Sequence, residues 1–347
     1  MEELKKNAGF TKELIKNNIG LGGRPYKLNF AVTYRCNARC ETCNIWKKDA
    51  DPDIGTEKIR RFVSENPFLR WVSLTGGEPF LREDLTEIVE ILNEETELTI
   101  LNIPTNGIKT SKIVEKVRDI LKNDIPHVIV TVSLNGPKEI HEKINGVEGS
   151  WERSLETFEE LKKIEEASKG FRTYLEYNVS GRNQDMFEET LESVSKVTEV
   201  DREDFVVTFY HTSDHYYGNN EDSNPEFEGL EEFVNSNSSF PLGPADLVNQ
   251  IFLKLSPDQL EENRFPCEAL SSSVFVDPSG NIYPCVVHSE SIGSLEEHDF
   301  SLEKALGEVD RESTIEGCGG CWLPCESNQR IMSNMPRALK EYFKNFL

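Results

Sequence analysis

The feature that most restricts the fold is an alternation. Six apolar runs rich in Val, Ile, Thr, Phe and Tyr recur: KLNFAVTY (27–34), RWVSLT (70–75), ELTILNI (97–103), HVIVTVSL (127–134), FRTYLEYNV (171–179) and DFVVTFYH (204–211). Such residues favour extended strands. The segments between them repeat at helical spacing. Ile113, Val117, Ile120 and Leu121 share one face, as do Trp151, Leu155 and Phe158, and Phe187, Leu191, Val194 and Val197. Asn183 is expected to cap the last of these helices, with Gln184 and Asp185 in its first turn. Strand–helix units in series imply an α/β fold with a parallel sheet. Pattern alone does not separate a partial barrel from an open doubly wound sheet.

The alternation stops after residue 211. Residues 212–243 are acidic and rich in Asn and Ser, and read as a long loop or lid with one short helix. A helix is expected over 245–255, and SSSVFVDPSGNIYPC reads as a hairpin turning at 277–280. The expected organisation is a helical extension over 1–26, a main domain over 27–255, and a cysteine-rich domain with a terminal helix over 256–347.

The chain has 347 residues and a formal net charge of −24. A surface this acidic repels phosphate backbones, so nucleic acid is not an expected partner. No run of about 18 apolar residues suggests a membrane span. The first residues lack the apolar core and cleavage site of a secretory signal, which places the chain in the cytoplasm. The eight cysteines then point to metal or redox chemistry rather than disulfides.

Three of those cysteines, Cys36, Cys40 and Cys43, fall within TYRCNARCETCNIW, directly after the first strand-like run. A structural zinc site uses four closed ligands. Three thiols with no fourth nearby can instead hold three irons of a cubane and leave the last iron open to a small molecule. Polar clusters follow the later runs: GGEP (76–79), PTNG (104–107), SLNG (133–136) and Asn178. In parallel α/β folds the carboxyl ends of strands meet on one rim, where active sites lie.

CNARCETC followed by GGEP resembles the radical S-adenosylmethionine (SAM) enzymes over roughly 27–211. The resemblance implies a partial (β/α)6 TIM-like barrel, a [4Fe–4S] cluster on Cys36, Cys40 and Cys43, and SAM chelating the open iron. It implies reductive cleavage of SAM to a 5′-deoxyadenosyl radical that abstracts a substrate hydrogen. Gly76, Gly77 and Glu78 would shape the methionine-amino site, with Pro79 fixing the turn. Ser133 and Asn135 would meet the ribose, Asn178 the ribose or carboxylate, and Asn106 is a further SAM candidate. One departure stands out. The residue before the third cysteine is often aromatic in the family and is Thr42 here, with Trp46 or Tyr34 able to compensate.

The remaining cysteines are Cys267, Cys285, Cys318, Cys321 and Cys325. Chemistry alone leaves zinc and an iron–sulfur cluster evenly placed. CEALSSSVFVDPSGNIYPC followed by CxxC resembles the twitch domain, the shorter relative of the SPASM domain of radical enzymes. That implies one auxiliary [4Fe–4S] cluster on Cys267, Cys285, Cys318 and Cys321. Cys325 is left over: a bystander, a substitute ligand or a substrate-facing thiol.

The spacing of these cysteines also resembles radical dehydrogenases of carbocyclic aminosugars. This implies oxidation of a small alcohol or carbohydrate-like substrate, with the auxiliary cluster accepting an electron. His211 and His215 are the candidate proton acceptors. A peptide-modifying radical enzyme is the alternative, weakened because only 26 residues precede the first run. A non-enzymatic cluster or zinc carrier would not need GGEP. A low-potential donor, ferredoxin or flavodoxin, is the expected partner.

Overall fold

The computed structural model describes residues 2–48, 53–219, 224, 233–234, 244–262, 265–316, 318 and 321–344. The six expected runs are strands β1 (Lys27–Thr33), β2 (Trp71–Gly76), β3 (Ile100–Thr105), β4 (His127–Ser133), β5 (Phe171–Val179) and β6 (Phe205–Phe209). A hairpin, β7 (Ser273–Val276) and β8 (Ile282–Tyr283), completes one sheet of order β6-β5-β4-β3-β2-β1-β7-β8. β1 to β6 are neighbours in chain order and pair in parallel. An order without a reversal has no switch point, so the doubly wound alternative is excluded and the sheet is a partial barrel.

Helices α1 (Glu2–Asn18), α2 (Thr56–Glu65), α3 (Leu85–Glu95), α4 (Thr110–Ile120), α5 (Lys138–Asn145), α6 (Ser150–Ala167) and α7 (Phe187–Ser195) belong to the first part. α8 (Pro244–Glu262), α9 (Leu302–Gly307), α10 (Arg311–Ile315), α11 (Pro324–Ser333) and α12 (Met335–Lys344) follow. α8 runs past the expected end at 255 and contains Pro257.

Strand side chains alternate between two environments. Leu28, Phe30, Val32, Val72, Leu74, Leu101, Val130 and Leu175 are buried against the helices in the main core. Burial of each such side chain contributes about 1.5–3 kcal/mol. The alternate positions on the other face carry Asn29, Ser73, Asn102, Thr131, Glu176 and Asn178. Asn102, Glu176 and Asn178 keep partial exposure although they sit mid-strand, so this inner wall is polar and lines a lumen.

The amino-terminal end of the barrel is plugged. Phe10 of α1 packs edge-on against Tyr26 and Trp71, with ring centroids 5.8 and 6.4 Å apart. Lys27 is fully buried there, donating to the Cys325 carbonyl and, at 3.2 Å, to Gln329 Oε1. Glu326 accepts from Asn29 Nδ2 at 2.8 Å and from Ser273 Oγ at 2.7 Å.

Three expectations change. β7 pairs in parallel with β1, from Lys27↔Ser273 to Phe30↔Val276, so the sheet continues through the expected boundary near 255. α7 starts at Phe187 after Met186, not at Asn183. Asn183 instead braces the rim: its Nδ2 donates to the Asn135 and Asn178 carbonyls at 3.0 Å each, and its Oδ1 accepts the Ser180 N–H at 2.8 Å. Val197 lies beyond the helix and is 59% exposed. Of the expected lid, residues 220–223, 225–232 and 235–243 lie outside the described residues. Among the described residues no helix is long and apolar enough to cross a membrane.

Candidate active site

The loop after β1 carries Cys36, Cys40 and Cys43, each half-buried and none in a disulfide. Two neighbours hold this loop. The last turn of α5 accepts the Arg39 and Glu41 N–H groups at the Asn145 and Ile144 carbonyls, 2.8 Å each. On the other side, the Tyr217 carbonyl accepts the Asn44 N–H at 2.8 Å, and Asn219 Nδ2 donates to the Thr42 carbonyl at 2.9 Å. A Cβ on Gly146, whose φ is +65°, would stand 2.7 Å from the Arg39 carbonyl, so glycine lets α5 approach the loop.

GGEP joins the same rim. The Gly77 N–H donates to the Thr33 carbonyl at 2.8 Å and the Glu78 N–H to the Arg35 carbonyl at 2.9 Å. Cβ atoms on Gly76 and Gly77 would stand 2.1 and 2.4 Å from those two carbonyl oxygens, so both glycines are required by close approach. Pro79 opens a short 3-10 turn. Glu78 is 1% exposed and its carboxyl accepts from Thr105 Oγ1, the Asn106 N–H and the Phe80 N–H at 2.9, 2.8 and 3.2 Å. Burial pushes its pKa up to about 7. These partners let the carboxyl organise the rim, and Oε2, with one bond, keeps acceptor capacity. A ligand ammonium would meet backbone carbonyls beside it.

Asn106 Nδ2 donates to Asn37 Oδ1 at 2.8 Å and points at Cys36 Sγ at 3.8 Å. Asn135 Oδ1 accepts the Asn178 N–H at 3.0 Å, and Asn178 Nδ2 donates to Thr208 Oγ1 at 2.9 Å. Ser133 is half-buried at the end of β4. The triplet, GGEP, Asn106, Ser133, Asn135 and Asn178 are thus brought to the carboxyl ends of consecutive strands, as the sequence leads one to expect.

The donor set around the sulfurs suits an iron–sulfur cluster. The Ala38 N–H donates to Cys36 Sγ at 3.4 Å, and Asn37 Nδ2 is buried with no partner among the described residues. Burial raises the pKa of Cys36 and Cys40 and pushes that of Cys43 up to about 12. Thiolates in this place call for a positively charged metal partner.

The second thiols are gathered by a residue the sequence did not flag. Arg330 of α11, 2% exposed, donates to the Phe265, Pro266 and Cys321 carbonyls, the last at 2.8 Å. Cys321 lies within electrostatic reach of Cys267 and Cys318, and Cys285 and Cys325 within reach of Cys321. The His288 N–H donates to Cys285 Sγ at 3.3 Å. Cys318 is exposed and Cys321 buried. Among the described residues no three His, Cys, Asp or Glu side chains converge on the scale of a single metal ion.

The two histidines differ. His211 Nε2 accepts the Trp322 N–H at 2.7 Å, and burial lowers its pKa to about 4. His215 Nδ1 lies 3.2 Å from Ser213 Oγ, whose proton goes to the Val286 carbonyl at 2.6 Å. His215 therefore carries its proton on Nδ1, burial lowers its pKa to about 4 as well, and its buried Nε2 has no hydrogen-bond partner among the described residues.

Tyr216, which the sequence places beside the candidate histidines, pairs its hydroxyl with Thr75 Oγ1 at 2.9 Å. Sequence reading missed Glu176, bonded by Thr131 Oγ1 at 2.8 Å in the inner wall. It also missed His141 and Asn145, which link Asn135 to Cys40. The strand alternation carried a signal for Glu176 and the i,i+4 spacing on α5 one for the His141–Asn145 pair; nothing local pointed to Cys40 as its target.

Residues 30–194 match the model of the Radical SAM superfamily. A probable GTP 3′,8-cyclase of Thermococcus kodakarensis is 34% identical over 146 residues, covering 41% of this chain and 45% of the relative. An AdoMet-dependent heme synthase of Methanosarcina barkeri is 28% identical over 201 residues, covering 55% and 51%. The chain thus spans about half or less of the length of these relatives. Native anSMEcpe with bound AdoMet superposes with a TM-score of 0.59 at 15% identity, covering 92% of this chain and 99% of that one. At that identity the likeness shows the fold. Neither relative's name describes oxidation of a small alcohol.

Proposed function

Because residues 30–194 place this chain in the Radical SAM superfamily, we propose that this enzyme removes a hydrogen atom from a polar substrate in its lumen and completes an oxidation beside a second iron–sulfur centre. Bound to their sites, the cofactors supply the 5′-deoxyadenosyl radical that takes the hydrogen and an acceptor for the electron left behind. Cys36, Cys40 and Cys43 would hold the SAM-binding cluster, and Cys267, Cys285, Cys318 and Cys321 the auxiliary one.

One observation supports this reading above the others. Cys43 and Cys325, separated by more than 280 residues of chain, pack in one cluster with Tyr216, Tyr217, Val286 and Leu323. The triplet and the second thiol region therefore border the same apolar cluster. Neighbouring centres suit a reaction that must pass on an electron. They serve no purpose in a carrier.

The chain's own residues divide the remaining work. Gly76, Gly77, Asn106, Ser133, Asn135 and Asn178 shape the SAM site at the rim. Glu176 offers its carboxylate to a hydroxyl or ammonium of the substrate. His215 Nε2 takes the proton, its Nδ1–H held by Ser213 as in other oriented bases. The apolar cluster around Tyr216 and Tyr217 excludes water. A low-potential donor, ferredoxin or flavodoxin, supplies electrons.

Anaerobic reconstitution tests the reading. The chain should bind about eight irons in two cubanes and form 5′-deoxyadenosine from SAM when reduced. Metabolites depleted from a cell extract would identify a small-molecule substrate, and peptides altered in mass a peptide one. Four irons with one zinc would contradict the auxiliary cluster.

A further inference from the structure

The hydrogen bonds around Cys40 do not match for a free thiol. His141, 0% exposed, accepts the Asn135 N–H at Nδ1, 3.1 Å away. A ring nitrogen that accepts leaves the neutral ring's only proton on the other nitrogen, so Nε2 is the donor. Nε2 faces Asn145 Nδ2 at 3.1 Å, a second donor. Asn145 Oδ1 is turned instead to the Cys40 thiol, 3.0 Å away.

A half-turn of the Asn145 amide removes the conflict. Oδ1 then accepts from His141 Nε2–H, and Nδ2–H points at Cys40 Sγ. That sulfur is then an acceptor, a weak one as a thiol and a strong one as a thiolate, the form in which cysteine binds iron. The flipped amide leaves no donor facing a donor, and its N–H is best matched by a thiolate. The placement is rigid, because the Asn145 and Ile144 carbonyls accept the Arg39 and Glu41 N–H groups on either side of Cys40.

We propose that Asn145, its amide oriented by His141, is a positioning residue that donates an N–H to the Cys40 thiolate and raises the reduction potential of the SAM-binding cluster. An N–H aimed at a ligand sulfur stabilises the added negative charge of the reduced state. The inference rests on the reading of Cys40 as a cluster ligand.

Two measurements on the full chain decide it. The first is 15N-histidine NMR, which reads the His141 tautomer with or without a cluster. The Nε2–H form is expected, and the Nδ1–H form would overturn the proposal. The second is a redox titration of the EPR signal that changes on adding SAM, in wild type, Asn145→Asp and His141→Asn. Asn145→Asp keeps the shape but can only accept. His141→Asn keeps an acceptor for the Asn135 N–H and loses contact with Asn145. Both should keep the SAM-dependent signal and move its potential to more negative values, Asn145→Asp further. A purely structural role would lower cluster content and leave the potential unmoved, and equal potentials in all three proteins would overturn the proposal. If the wild type gives no SAM-dependent signal, the proposed function fails, and the tautomer alone decides the role of His141.

Discussion

His211 Nε2 accepts the Trp322 N–H at 2.7 Å, tying the end of the sixth strand to the residue after Cys321. Trp322 is itself buried, stacked on Phe252 with ring centroids 5.6 Å apart. His211→Ala leaves that N–H buried without a partner, a cost of about 1–3 kcal/mol. The expected outcome is lower iron content at the second thiol set with SAM cleavage preserved. Iron analysis beside a deoxyadenosine assay checks it.

His215 should behave differently. Its ring packs against Tyr283 and Phe275, with centroids 4.5 and 5.7 Å apart, so His215→Phe, which keeps a ring and removes the nitrogens, should leave iron content and SAM cleavage close to wild type. Substrate turnover should fall by about 10²–10⁴, the usual share of a general base. Turnover equal to wild type would remove His215 from the mechanism.

Gly76 has φ +131°, and a Cβ there would stand 2.1 Å from the Thr33 carbonyl. Gly76→Ala therefore combines a strained backbone with a clash, and should cost more than the ~1 kcal/mol that a compatible Gly-to-Ala change can gain. Urea unfolding should show the loss, and SAM cleavage should fall with it. Gly23→Ala, where a Cβ meets nothing within 4 Å, is the control.

The buried Glu78 gives a pH dependence with a definite sign. Burial raises its folded pKa from 4.5 to about 7. The folded state then holds a proton that the unfolded chain has lost, so its contribution is complete below about pH 4.5 and is lost as pH rises towards 7. Urea midpoints between pH 5 and 8 should fall more steeply for the wild type than for Glu78→Gln. Parallel slopes would show that Glu78 does not titrate in this window.

Period-two and helical patterning made the six parallel strands legible, because each strand's outward face is apolar whatever surrounds it. The rim was legible for a related reason: a parallel sheet in chain order brings the triplet, GGEP and the later strand ends together. Asn183 was misjudged because capping and rim-bracing use the same side-chain chemistry, and its bonds to the Asn135 and Asn178 carbonyls and the Ser180 N–H decide between them only once the rim is folded. His141, Asn145 and Arg330 were not legible. Asn145 and Arg330 act on distant segments, at Cys40 and Phe265; the His141–Asn145 spacing is local, but nothing in it names Cys40 as the target. The pairing of β7 with β1 was equally hidden, since nothing within SVFV states which edge it joins.

The most direct test compares two groups of cysteine variants in anaerobic, reduced protein supplied with SAM. Cys36→Ala, Cys40→Ala and Cys43→Ala should each abolish 5′-deoxyadenosine formation, while Cys267→Ala and Cys285→Ala should still form it and fail only in substrate turnover. Deoxyadenosine persisting in the first group, or vanishing equally in both, would contradict a radical centre on the triplet with a separate partner in the second set.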